Sequence, residues 1–143
     1  MIPCLTVRQP WASAFFEQTA PKDVENRTWS TEHRGLLAIH AGMALDDAGL
    51  AMLGHRYDRR DFGVVLGTVE LTGCHRAGST ACDDFGCDGN PWAFHPLDGQ
   101  RLIHWTVEHP RRFVTPVRAK GRLQLWTPPP TTGYLIETAE VEL

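Results

Sequence analysis

Lys22, Glu25 and Arg27 fall within one short run, Lys22-Asp23-Val24-Glu25-Asn26-Arg27. A carboxylate that holds an arginine fixes a guanidinium for presentation to phosphate. A lysine beside a second cation can have its pKa lowered, and then serves as base or nucleophile. With Glu25 as proton carrier, the same residues could cleave an amide or a phosphodiester. The plainer reading is an ion pair at a strand end, which is worth little. Strand alternation puts Glu25 and Arg27 on one face, so Lys22 joins them only from the turn before the strand.

Other residues extend this set. Gln9-Pro10-Trp11 stands at a strand-to-helix junction, and helix starts attract anions. Trp11 either stacks on a base, a contact worth about 1–3 kcal/mol, or packs at the helix start. Trp29 suits a cleft cover and Trp126 a core position. His40 closes an apolar run. A buried, hydrogen-bonded imidazole is its expected role, with the cleft floor near Lys22 as the alternative. Arg34 either contacts phosphate or solvates a turn. Arg111 and Arg112 precede Arg118, Lys120 and Arg122, whose alternation would make one strand-face stripe suited to a nucleic-acid backbone. Cys74-His75, Cys82, Cys87 and His95 invite a zinc reading. Cys82-x4-Cys87 is at the edge of ligand spacing, however, and a Cys-x2-Cys pair is missing. The expectation is therefore no metal and no cofactor, with free thiols around a loop made acidic by Asp83, Asp84 and Asp88.

These residues need elements to position them. Hydrophobic periodicity and turn residues predict strands over 2–7, 24–29, 36–41, 62–74, 102–107, 113–117 and 122–126. Helices are predicted over 10–18 and 44–55, with Pro10 in the first turn of the former. Residues 57–61 read as a charged connector and 77–90 as a loop. Gly63 and Gly67 mark bulges or close approaches in the strongest strand. Residues 133–143 read as a last strand or a tail. The pattern is α+β.

Bulk properties narrow the function. The chain has 143 residues, 42% hydrophobic and 22% charged, which suits one domain with its own core. A net charge of −3 argues against coating nucleic acid by bulk charge, but leaves room for a local basic cleft. The opening Met-Ile-Pro-Cys-Leu-Thr-Val-Arg lacks the features of a secretory leader, and no run is long and apolar enough for a membrane span. A cytoplasmic protein with reduced thiols is expected.

Several separated blocks together resemble the ASCH domain family. They are Leu5-Thr6-Val7-Arg8-Gln9-Pro10-Trp11-Ala12, the Lys22 to Arg27 run, and Arg34-Gly35-Leu36-Leu37-Ala38-Ile39-His40-Ala41. His109-Pro110, Pro116, Lys120-Gly121 and Leu125-Trp126 complete the set. The resemblance implies a PUA-like small mixed β-barrel flanked by two or three short helices. Residues 1–143 would form one such domain, with 127–143 as its C-terminal extension. It also implies nucleic-acid binding, chiefly of RNA. Some small bacterial members are N4-acetylcytidine amidohydrolases, and some members are described as ribonucleases. Two positions depart from the family pattern. The signature glycine falls on Ala20, and Glu25 stands where the amidohydrolases carry a catalytic threonine. The expected function is capture of RNA or a nucleotide in a cleft. Lys22, Arg27 and Arg34 would meet phosphate or a base carbonyl, Glu25 would orient Arg27, and Gln9 and Trp11 would form a wall. His40, Arg118 and Lys120 would add contacts. The alternative is a hydrolase using Lys22 and Glu25.

Overall fold

Long β-branched and apolar runs build a single six-stranded sheet. In the computed structural model, which describes residues 1–54 and 61–143, the chain folds as β1 (Cys4–Gln9), α1 (Trp11–Ala14), β2 (Val24–Arg27), β3 (Gly35–Leu45) and α2 (Asp47–Leu53). It continues with β4 (Val64–Arg76), α3 (Thr80–Phe85), β5 (Ile103–Arg118), β6 (Leu125–Trp126) and α4 (Pro130–Glu137). The strand order is β2-β5-β4-β3-β1-β6. Among the described residues the β1–β3 pair is parallel and the other pairs are antiparallel. His55 and residues 57–60 of the expected connector lie outside the described residues.

The barrel expected from the family resemblance is not closed. β2 pairs only with β5 and β6 only with β1, so both remain edge strands. The sheet is nonetheless irregular, with register shifts at Val65/Gly67, Thr68/Glu70 and Leu71/Gly73 between β4 and β5. Each added residue increases local twist and bends its strand. The bending brings β2 near β1, where the Arg27 guanidinium reaches the Thr6 carbonyl at 2.9 Å. Gly67 is a close-approach point: a Cβ there would lie 2.2 Å from the Arg111 carbonyl oxygen.

Four other expectations change. Residues 102–107 and 113–117 belong to one strand, because β5 runs through His109-Pro110 opposite the irregular step at Thr68/Glu70. A proline has no N–H to pair, and a bulge removes the need for one. The expected loop 77–90 contains α3, which ends at Gly86 in the left-handed conformation. The helix predicted over 10–18 shrinks to the single turn of α1. Residues 133–137 are the end of α4, which packs Ile136 beside Phe113 and Trp126; beyond it Val141 makes one bridge to Phe113. Among the described residues four short helices thus flank the sheet, rather than two or three.

The main core lies between one face of the sheet and the α1 segment, with Leu5, Phe15, Leu37, Ile39, Leu66 and Trp105 among its buried residues. A smaller apolar cluster joins Ala14, Val24, Leu53, Cys82, Cys87 and Trp92. Among the described residues no helix is long and apolar enough to cross a membrane. The four cysteines are free.

Candidate binding cleft

The turn after α1 places Lys22. Its backbone N–H donates to the Ala14 carbonyl at 2.8 Å, and the next residue's carbonyl accepts from Val107 N–H at 3.0 Å. The turn is thus tied to α1 on one side and to β5 on the other. The Lys22 side chain is 3% exposed and points inward beneath three aromatic rings. Its Nζ lies 5.4 Å from the Trp11 and Phe15 ring centres and 5.7 Å from that of Trp92. Such faces attract a cation, more strongly when it is desolvated. Nζ donates to the Val24 carbonyl at 2.5 Å and meets Glu25 Oε1 at 3.3 Å.

Glu25 is the hub of the site. Its Oε2 accepts from Arg27 Nε at 2.9 Å and from an Arg27 terminal nitrogen at 2.7 Å. Burial alone would raise its pKa, but the charges of Lys22 and Arg27 more than reverse this, and the carboxyl sits below the usual carboxylate range. For Lys22, burial wins over the attraction of Glu25, and its pKa is lowered. The alternation that puts Glu25 and Arg27 on one face of β2 holds, and Lys22 reaches them from the preceding turn.

Above this triad opens a cavity of about 420 Å³, lined among others by Arg8, Trp11, Asn26, Trp29, Asp46 and Phe94. Trp11 stands as one wall. Its indole N–H donates to Asp46 Oδ2 at 2.8 Å, while the other carboxylate oxygen caps α2 at Gly49 N–H. The Trp11 hydrogen bond is the main cause holding the Asp46 carboxyl below its ordinary range. Gly49 is required here, because a Cβ would lie 2.7 Å from the indole. Phe94 meets Trp11 edge-on at 5.7 Å. Trp29 packs edge-on against Trp105 at 4.7 Å and is half-buried at the cavity margin.

Asn26 was not singled out in the sequence, yet it fixes the second wall. Its Nδ2 donates to the Trp92 carbonyl at 2.9 Å and its Oδ1 accepts from Phe94 N–H at 3.0 Å. Asn90 ties the same segment to Asp23 at 3.1 Å. Arg8, exposed at the cavity mouth, also went unremarked. The only signals for these residues were an amide on an edge strand and a cation next to Gln9, and both are common without function.

Other sequence candidates fall elsewhere. Gln9 is fully buried, with its amide accepting from Ser13 N–H at 3.0 Å and donating to the Asp61 carbonyl at 2.7 Å. It supports α1 from beneath. α1 has four residues, too short to present a helix N-terminus to an anion. Arg34 is exposed and folds back on the carbonyls of Thr31 and His33, both at 2.7 Å. His40 takes the bland role: its Nε2–H donates to the Ala119 carbonyl at 2.7 Å, which leaves Nδ1 to accept from Thr6 Oγ1 at 3.2 Å. Burial lowers its pKa. Trp126 is a core residue whose indole N–H donates to Thr6 at 3.0 Å. The basic stripe does not form, since Arg118 ends β5 whereas Lys120 and Arg122 lie in the loop before β6. Of the suggested zinc ligands, the structure gathers His75, Cys82 and Cys87 and adds His104, while Cys74 and His95 lie elsewhere. Cys74 turns to the opposite face of β4, against the main core, and His95 is exposed.

No family model and no curated protein matches the chain. Solved structures do. The ASCH protein of Zymomonas mobilis aligns with a TM-score of 0.59 at 12% identity, over 96% of this chain and 95% of that one. A tyrosine-to-phenylalanine mutant of the same protein gives 0.59 and 12%, over 96% and 98%. A serine-to-alanine mutant gives 0.58 and 14%, over 96% of both chains. At such identity the likeness is one of architecture, and on that ground the chain has the ASCH fold.

Proposed function

We propose that this protein binds single-stranded RNA by drawing one base into the cleft above Lys22. The observation that carries this reading is the ionic triad set at the floor of an aromatic-walled cavity. Among the described residues Lys22 donates to Val24 and Glu25, which leaves a third ammonium hydrogen for a ligand carbonyl. Trp11, Phe94 and Trp29 offer flat faces for stacking, and unpaired bases are read by stacking and by hydrogen bonds at their edges. A cavity of about 420 Å³ is in the lower part of the range used for small ligands, roughly 300–1,000 Å³. The ASCH fold agrees with a nucleic-acid or nucleotide-like ligand.

The structure refines the roles of the cations. Glu25 takes up both Nε and one terminal nitrogen of Arg27, so Arg27 serves to shape the floor. Arg8, exposed at the mouth, is the better partner for phosphate. Fluorescence titration with short single-stranded oligoribonucleotides tests the reading, since Trp11 and Trp29 report on the cleft. Lys22→Met and Trp11→Ala should each weaken binding at least about tenfold, the equivalent of 1.4 kcal/mol. Wild-type affinity in both folded variants would overturn it.

Hydrolysis of RNA or of a modified nucleoside is the second reading, favoured by one observation: the lowered pKa of Lys22 suits a base or nucleophile. Glu25 weakens it, because a carboxyl held below its usual range is a poor proton donor near neutrality. Release of cytidine from N4-acetylcytidine, or cleavage of RNA, that is lost in Lys22→Met would establish the enzyme. Inactivity with and without added metal would exclude it.

A further inference from the structure

Behind the second wall of the cleft, four side chains converge on one point. The cross-strand pair His75 and His104 supplies two of them, since these residues face each other in the β4–β5 ladder. Cys82 comes from α3, and Cys87 follows the left-handed turn at Gly86. Their donor atoms all lie within 4.8 Å of one another, and three of the four residues are buried. His75 Nε2 is 3.2 Å from Cys87 Sγ and 3.2 Å from His104 Nδ1. His104 Nδ1 is in turn 3.4 Å from Cys82 Sγ and 3.5 Å from Cys87 Sγ.

Hydrogen bonding accounts poorly for this arrangement. The Nε2 of His104 lies 2.8 Å from the Phe94 carbonyl, a pure acceptor, so Nε2 carries the proton. Nδ1 then has a single lone pair, yet two sulfurs and another imidazole crowd around it. One ion at the centre would use every lone pair at once. Zinc bound at about 2.3 Å to sulfur and 2.0–2.1 Å to nitrogen places tetrahedral ligands roughly 3.3–3.8 Å apart, close to the spacings observed. The hydrogen bond from His104 to a backbone carbonyl is also the usual way a ligating imidazole is oriented.

We propose that His75, Cys82, Cys87 and His104 form a structural zinc site. Two thiolates and two neutral imidazoles favour zinc by donor type and tetrahedral geometry. On binding, the two thiols each release a proton and their sulfurs bond the ion, giving a neutral centre without change of oxidation state. Four protein ligands fill the coordination shell, so the ion holds structure and leaves no position for substrate. What it holds is the cleft wall. His104 grips the Phe94 carbonyl while Asn26 grips the Phe94 N–H, and Cys87 anchors the chain leading to Trp92. α3 has six residues, too few to be stable without such an anchor.

Elemental analysis of the full chain, purified without a histidine tag, should find one equivalent of zinc. Cobalt exchange should give intense tetrahedral d–d bands with thiolate-to-cobalt charge transfer. Cys82→Ser combined with Cys87→Ser should abolish both signals, whereas Cys74→Ser and His95→Ala should keep them. His104→Cys preserves four ligands and should retain metal with stronger charge transfer, a check that does not depend on the double variant folding. Chelation should lower the Tm by about 10 °C or more. Wild-type protein without stoichiometric metal that also fails to bind added cobalt, stoichiometric iron or copper in place of zinc, or loss of zinc in Cys74→Ser, would overturn the proposal.

Discussion

Lys22 and Glu25 are nearly inaccessible; Lys22 is tolerable inside because Glu25 pairs with it, and Glu25 because Lys22 and Arg27 both do. Removing one partner of a buried pair leaves a desolvated charge, at a cost of about 3–5 kcal/mol. Glu25→Gln should therefore destabilise the protein by an amount of that order in urea denaturation near pH 7. The pH dependence separates this from a simple packing defect. Glu25 has a folded pKa below its unfolded value, so its contribution is fully present above about pH 4.3 and is lost as pH falls through the folded value. In Glu25→Gln that acid loss disappears. Lys22, already lowered by burial, loses its counter-charge and falls further. Above the lowered folded pKa of Lys22 the unfolded chain binds more protons than the folded one, and the variant's deficit should shrink as pH rises toward about 10. A deficit constant from pH 5 to pH 10 would mean that the pair's electrostatics contribute little.

At the scale of elements, β2 is a short edge strand whose importance comes from what it carries on each side. One face presents Glu25 and Arg27 to the cleft floor, and Asn26 stitches the 92–94 segment to the sheet. Asn26→Asp keeps the acceptor for Phe94 N–H but replaces the donor to the Trp92 carbonyl with an oxygen. It should cost about 1–3 kcal/mol and increase hydrogen exchange at residues 92–94, with β3 and β4 unaffected. Uniform exchange across the chain would refute the stitch. Alternation along residues 24–27 made the shared face of Glu25 and Arg27 legible in the sequence, and Gly67 was legible as a close approach. Asn26 was not, because its partners lie more than sixty positions away on a segment without periodicity. Of the proposed zinc ligands His75, Cys82 and Cys87 were legible and His104 was not, for a similar reason. Cys82 and Cys87 are local neighbours, but His75 and His104 meet only through β4–β5 register, and the bulges that set this register leave no clear trace in composition. The same bulges explain why the unbroken β5 was read as two strands. The short α3 was missed because it is six residues long between Gly78 and Gly86, and α4 because it follows a proline run and carries a glycine and two threonines.

For the whole molecule, the net charge of −3 constrains how a nucleic acid could be held. Lys22 and Arg27 share Glu25, so one positive charge of the cleft floor is left uncompensated, with Lys22 buried and Arg27 partly exposed. Arg34 is folded onto its own turn, and Arg118, Lys120 and Arg122 do not form the continuous basic stripe that would track a backbone. Arg8 is the exposed cation among the residues lining the cavity, and on the base-capture reading it would be the main phosphate contact. Binding should depend on base capture and only weakly on salt. For single strands each neutralised phosphate contributes a slope of about −0.7 in log K against log salt, so a total near −1 is expected. Arg8→Ala should bring that slope close to zero while lowering affinity modestly. Lys22→Met should weaken binding at every salt concentration and leave the slope unchanged, because its partner would be a base carbonyl. The two variants therefore separate backbone attraction from base recognition. A wild-type slope of −4 or steeper would place the nucleic acid on a basic surface elsewhere and sink the base-capture reading.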